Sequence, residues 1–259
     1  MNMNRPLILA TNDDGIDARG IHSLIEAVTP LGDVVVVAPD GPRSAQSSAI
    51  TVNTPLRIWK HYEKDGLVMY RCNGTPTDCV KIGLYKVLDR RPDVVVAGIN
   101  HGSNTSISSI YSGTMGAVIE GCIEGVPSIG FSLCDYDPRA DFTEAVRYAA
   151  IITQKVLDEG LPKDICLNVN VPPVEHVKGM KVCRQCYGRW KERFVIREDP
   201  AGNNYYWLTG DFFDLETDAE DTDEAAMRNS YVSVVPCRVD LTDYDAINKL
   251  KSWNYEETR

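Results

Sequence analysis

Three short, unbroken apolar runs constrain this chain more than any other feature: residues 7 to 11 (Leu-Ile-Leu-Ala-Thr), 33 to 38 (Asp-Val-Val-Val-Val-Ala) and 93 to 97 (Asp-Val-Val-Val-Ala). Runs this short, without apolar and polar alternation, are the pattern of strands buried on both faces, as in a parallel sheet covered by helices. Helical patterning falls between and after them, near 19 to 30, 76 to 89, 113 to 124 and 141 to 159. In the last of these Phe142, Val146, Ala149, Thr153, Val156 and Leu157 share one stripe. Further strands are predicted near 127 to 133 and 165 to 170. This βαβ rhythm predicts an α/β fold with an open, mostly parallel, Rossmann-like sheet, whose ligands bind in the loops beyond the C-terminal strand ends.

Two regions break the rhythm. Residues 50 to 72 hold two β-like stretches around Lys64-Asp65-Gly66, the signature of a hairpin. Past about residue 180 the texture turns Arg-rich and aromatic, with Arg193 to Arg197 and Tyr205-Tyr206-Trp207-Leu208 separated by Asp199-Pro200-Ala201-Gly202-Asn203. These pieces predict a β-hairpin-rich C-terminal flank. The acidic stretch 214 to 229 reads as a solvated loop and short helix, followed by a strand from Tyr231 to Val235. We divide the chain into an α/β core, 1–180, and a β-rich extension for oligomerisation, 181–259, acting as one functional unit. Strand edges and aromatic surface in that extension predict a homo-oligomer.

The net charge of −10, against 27 Lys and Arg, argues against a nucleic-acid polymer as partner. Small anionic substrates remain compatible, since a metal ion and a few N–H groups reverse the field locally. No apolar run approaches the roughly 20 residues that span a bilayer, so no membrane partner is expected. Met1 to Pro6 lack a signal-peptide cleavage pattern, and the eight cysteines have no regular spacing. Both features point to a cytoplasmic protein with reduced thiols.

The chemistry is sought in the loops that follow the predicted strands. After the first comes Asn12-Asp13-Asp14-Gly15-Ile16, two adjacent carboxylates and a glycine that turns the chain toward the next helix. Such a pair suits a hard cation, yet an Asp before a helix is also a common N-cap, and this motif alone leaves both readings open. After the second strand comes Pro39-Asp40-Gly41-Pro42-Arg43-Ser44, and after the third Gly98-Ile99-Asn100-His101-Gly102-Ser103-Asn104. Oxygen donors thus follow three predicted parallel strands, and a set without thiolate or clustered imidazole suits Mg²⁺, Mn²⁺ or Ca²⁺. Tyr111-Ser112-Gly113-Thr114-Met115 opens a helix whose free N–H groups suit an anion, although Ser-Gly-Thr is also an ordinary cap.

Taken in order, these motifs resemble the SurE (stationary-phase survival protein) family of 5′-nucleotidases. The resemblance rests on Thr11 to Ala18, Arg43-Ser44, Gly74-Thr75-Pro76-Thr77-Asp78-Cys79-Val80, Gly98-Ile99-Asn100, Tyr111 to Thr114, Leu167 to Pro172 and Tyr231 to Val234, and spans nearly the whole chain. It implies hydrolysis of nucleoside 5′-monophosphates to nucleoside and phosphate. It implies one divalent metal ion per subunit, Mn²⁺ or Mg²⁺, with Ca²⁺ as an occupant in crystals, held by Asp13, Asp14, Ser44 and Asn100. Asp13, Asp14 and Asn100 take the catalytic roles, and Asn12, Asn104, Ser112, Gly113 and Thr114 the phosphate and substrate contacts. The resemblance also implies a homodimer or tetramer. The sequence departs from the family at Ser230, where Gly is usual, and at Ala201, where Arg is common.

Other readings fare worse. Cys183-Arg184-Gln185-Cys186 is a lone pair where structural zinc needs four ligands. Its C-x₅-R spacing to Arg189 lacks the small residues of a phosphate-cradling loop. The adjacency of Asp13 and Asp14 fails the Asp-x-Asp spacing of haloacid-dehalogenase-type phosphatases, and no P-loop or dinucleotide fingerprint is present. The four histidines are scattered, and of them only His101 falls near the proposed site. An exopolyphosphatase or broader phosphomonoesterase, and a non-catalytic nucleotide-binding regulator, are the alternatives that use the same site.

Overall fold

Every residue of β1 (Leu7–Thr11) and β2 (Asp33–Pro39) is buried, and so are the first six of β5 (Val94–His101), as continuous apolar strands between two helical layers must be. The coordinates are a computed structural model that describes residues 5–253; Met1 to Asn4, at the start of the stretch read for a signal pattern, and 254–259 of the C-terminal extension lie outside the described residues. Successive side chains of a strand point to opposite faces, so Ile8, Ala10, Val34 and Val36 enter one core with α1 (Arg19–Val28) and α5 (Thr143–Glu159). Leu7, Leu9, Val35 and Val37 enter the other with α2 (Pro76–Ile82) and α4 (Gly113–Ile123).

The sheet has nine strands. Its order runs β3 (Ile58–Lys64), β4 (Leu67–Cys72), β2, β1, β5, β6 (Ser128–Leu133), β7 (Ile165–Val171), β11 (Val232–Arg238) and β8 (Met180–Val182). The pairs from β4 to β7 are parallel, while β3 on β4 and β11 on β7 are antiparallel. The expected hairpin around Asp65-Gly66 therefore extends the main sheet rather than standing apart from it. The helix predicted over 76 to 89 starts on a capping box between Thr75 and Asp78 and passes after Ile82 into a π-helical turn, Gly83–Val87.

The C-terminal region differs from the reading in two places. Val232–Arg238, assigned to the extension, lies inside the main sheet between β7 and β8. The acidic stretch is not wholly solvated: Thr222 and Asp223, at the start of α6 (Asp223–Arg228), are buried. Asp223 stays compatible with burial because its carboxylate accepts from the backbone N–H groups of Ser106, Cys186 and Glu224. Only β9 (Gly188–Glu198) and β10 (Asn204–Asp214) form the free-standing hairpin that the flank predicted.

Candidate active site

The loop after β1 is shaped by its own side chains. Asn12 Nδ2 donates to the Gly15 carbonyl at 2.8 Å, Gly15 turns the chain at φ +101°, and Ile16 N–H donates to the Pro39 carbonyl at the end of β2. Helix α1 then begins at Arg19 with Ala18 as its N-cap and no side-chain cap bond. Neither Asp13 nor Asp14 caps it, so the capping reading of this pair fails.

Asp13 is 4% exposed. Its Oδ1 accepts from Thr114 Oγ1 at 2.6 Å, at the start of α4, and a Cβ on Gly113 would stand 2.9 Å from its Oδ2. The helix opening is thus moulded around this carboxylate. Burial pushes the Asp13 carboxyl up to about 6; the Thr114 hydrogen bond opposes that rise, and the neighbouring Asp14 charge adds to it. Asp14 Oδ2 accepts from His101 N–H at 3.3 Å, and its carboxyl is also raised, chiefly by burial.

The other two strand ends close on this pair. Arg43 N–H donates to the Asp13 carbonyl at 2.7 Å, bringing Ser44 alongside. In β5 the pairing with β6 shifts register between Ala97 and Asn100, and Gly98 sits at φ +120°, where a Cβ would lie 2.3 Å from the Phe131 carbonyl oxygen. This irregularity re-aims Asn100 at the strand end, a common use of a β-bulge. Asn100 Nδ2 donates to the Gly102 carbonyl at 2.9 Å, which leaves its oxygen as the end suited to a cation.

Asp13, Asp14, Ser44 and Asn100 together line one cleft of about 380 Å³, with Asn104 and Ser112 in the same wall. Asn104 is clamped by a buried amide network: its N–H donates to Asn170 Oδ1, its Nδ2 to Ser132 Oγ, and its carbonyl accepts from Asn168 Nδ2. Ser112 both caps α4, accepting from Met115 N–H, and lines the cleft. Asn12, Gly113 and Thr114 stand behind that wall, Asn12 shaping the loop and the other two seating Asp13. Sequence reasoning missed Ser108, Tyr136 and Trp190 in the lining. Tyr136 follows the end of β6, so the strand-end rule reaches it; Trp190 arrives on the β9 hairpin and carries no local signal.

The donor set fits a hard cation. Two carboxylates are packed side by side, both made costly as anions by burial, and no ion pair among the described residues engages either. His, Cys, Asp and Glu form no cluster of three or more with ligand geometry among the described residues, which leaves Ser and Asn oxygens to complete the set.

A mostly parallel α/β sheet with an acidic, oxygen-lined cleft at its C-terminal strand ends, beside a helix N-terminus, defines a doubly wound α/β fold with its candidate site where such folds bind ligands. Residues 8–192 match the family model for Survival protein SurE. The chain is 48% identical to the 5′-nucleotidase SurE of Phocaeicola vulgatus, covering 99% of this chain and 100% of that one. It is 50% identical to the protein of the same name from Bacteroides fragilis, covering 98% and 99%. A crystal structure of SurE protein from Aquifex aeolicus superposes with a TM-score of 0.81 at 40% identity, covering 95% of this chain and 98% of that one. The chain belongs to the SurE family.

Proposed function

We propose that this protein is a divalent-metal-dependent phosphatase that hydrolyses nucleoside 5′-monophosphates to nucleoside and phosphate. One observation carries the reading: Asp13, Asp14, Ser44 and Asn100, from three separate strand ends, line a single cleft beside the N-terminus of α4. The relatives named 5′-nucleotidase SurE, about half identical over nearly the full length, support the substrate class.

Mn²⁺ or Mg²⁺ bound there supplies charge neutralisation for a phosphate oxygen and a lowered pKa for water. Asp13, Asp14, Ser44 and Asn100 would hold that cation, with Thr114 orienting the first carboxylate and the His101 N–H the second. An Asp in direct contact with a metal is a poor proton acceptor, so both act as ligands first. Ser112 lines the cleft at the N-terminus of α4, where the helix dipole favours the negative charge of a phosphate. Water adds to phosphorus as the bond to the nucleoside 5′-oxygen breaks in line; the attacking water gives up one proton and the leaving oxygen takes one up, so that nucleoside and phosphate result.

Two further readings belong with this one. The cytoplasmic assignment rests on eight free thiols and on the absence, among the described residues, of a helix long and apolar enough to cross a membrane. Assembly as a homodimer or tetramer rests on the β9–β10 hairpin, whose strands, among the described residues, pair only with each other and expose Phe194, Ile196, Tyr206, Trp207 and Leu208.

The test is phosphate release from nucleoside 5′-monophosphates and from short polyphosphate. Hydrolysis of the nucleotides with Mn²⁺, its loss in EDTA and its return on adding metal are the expected results. Full activity after chelation overturns the metal's role. Preference for polyphosphate overturns the substrate class, and absence of turnover with any substrate favours a binding protein.

A further inference from the structure

A second cavity of about 290 Å³ adjoins the catalytic cleft, and the two share Ser103, Ser108, Tyr136 and Trp190 in their walls. The two cavities therefore meet at a common wall, and their chemistry differs on either side of it. The inner end is acidic and oxygen-rich; the shared section is aromatic; beyond it stand Phe212 and Glu224.

The aromatic section is held in place. Trp190 Nε1 donates to Ser108 Oγ at 3.1 Å, and its ring meets Phe212 edge to face with centroids 5.8 Å apart. The Tyr136 hydroxyl accepts from Ser103 N–H at 3.3 Å. Gly102 lets that ring lie against the backbone, since a Cβ there would stand 2.6 Å from Tyr136 Cε1. Trp190 is nevertheless 40% exposed and Tyr136 69% exposed, so both offer ring surface to a flat ligand. Glu224 is fixed as well: one carboxylate oxygen accepts from Thr105 Oγ1, which also bonds Ser103 Oγ at 2.6 Å. No hydrogen bond among the described residues engages the other oxygen.

We propose that this second cavity is the nucleobase subsite, with Tyr136 and Trp190 stacking on the base and Glu224 reading its edge. The proposal rests on the nucleotidase reading above and deepens it to a base preference. A carboxylate accepts hydrogen bonds and offers none, so it selects an edge that presents adjacent donors. Guanine does so, with its ring N1–H beside the 2-amino group. Adenine sets one amino donor beside an acceptor nitrogen. Uracil sets its single N–H between two carbonyl oxygens, which a carboxylate repels. The subsite therefore favours guanosine 5′-monophosphate over uridine 5′-monophosphate, and any stacked base over a sugar phosphate that has none.

The test compares kcat/KM for guanosine 5′-monophosphate, uridine 5′-monophosphate and ribose 5-phosphate with Mn²⁺, in wild type and Glu224→Gln. Wild type is expected to use the guanine nucleotide at least about tenfold better than either of the others, the size of one charge-assisted hydrogen bond or more. In Glu224→Gln the guanine-to-uracil ratio is expected to fall by about tenfold, mainly through KM, because Gln keeps the shape but loses the charge and replaces one of the two acceptor oxygens with a donor. Ratios within one preparation are independent of the folded fraction, so a poorly folding variant still reports. Equal use of guanine nucleotide and ribose 5-phosphate, or the same guanine-to-uracil ratio in both proteins, overturns the subsite while leaving the phosphatase reading standing. Failure of all three phosphates to turn over removes the nucleotidase reading and this proposal with it.

Discussion

Asp13 and Asp14 separate two roles that adjacency in sequence leaves open, a cap and a cation site. The structure removes the cap, because Ala18 starts α1 without a side-chain bond. Asp13→Asn and Asp14→Asn are each expected to lower Mn²⁺-dependent turnover by at least about two orders of magnitude with the fold intact by circular dichroism, since each removes a charge facing the metal. Wild-type rates across a Mn²⁺ titration in both variants would refute the site. The metal-free protein adds a stability test with a definite sign. Burial lifts the folded Asp13 carboxyl from 3.8 to about 6, so between those values the folded state binds more protons than the unfolded one. Stability in EDTA is expected to fall as pH rises from about 4 through 6, by a contribution on the order of 3 kcal/mol at full ionisation. Asp13→Asn is expected to lose that part of the slope in urea melts at pH 5 and 7.5. That Asp13, Asp14, Ser44 and Asn100 would meet in one cleft was legible because they follow strand ends. Thr114 as the partner of Asp13 was not, because a hydrogen bond spanning 101 positions leaves no local trace.

Among the elements, α4 couples fold to chemistry most closely. Ser112 caps it and Thr114 bonds Asp13, so its first turn serves helix and site at once. Gly113 is the residue that permits this, since an added Cβ would lie 2.8 Å from Asp13 Cβ. Ala is a good helix former, and Gly113→Ala is expected to shift Tm by only a few degrees in either direction. It is also expected to cut turnover or raise the Mn²⁺ requirement by at least about tenfold, because small displacements of a ligand are costly. A variant with wild-type metal dependence would show that Asp13 does not need this seat. The buried strands and their helices were readable from periodicity, which is strongest where both faces are covered. The membership of β11 in the main sheet was not: Tyr231 to Val235 reads as a strand, but which neighbour it pairs with depends on contacts some 60 or more residues away in β7.

At the scale of the whole molecule, the β9–β10 hairpin is the part that a single chain leaves without a core. Its register pairs Phe194 with Leu208 and Ile196 with Tyr206 on one face, and Val195 with Trp207 on the other, all exposed. A two-stranded ribbon is marginal alone in water, and one with apolar groups on both faces asks for cover. A second copy of the chain is the occupant we infer. Replacing Phe194 and Leu208 together by Glu places like charges at directly opposed positions and makes burial of that face costly. The double variant is expected to run by light scattering as a 28.8 kDa particle at micromolar concentration, where wild type gives a multiple of that mass. The core should be untouched, because the hairpin adds no strand to the nine-stranded sheet, and thermal melts by circular dichroism check this. The consequence for the site is sharper, since Trp190 enters the cleft from the base of the same hairpin. If neighbouring copies brace the ribbon, the double variant loses preference for nucleotides over ribose 5-phosphate along with its assembly. A monomeric wild type, or an oligomeric double variant, would overturn assembly through this hairpin.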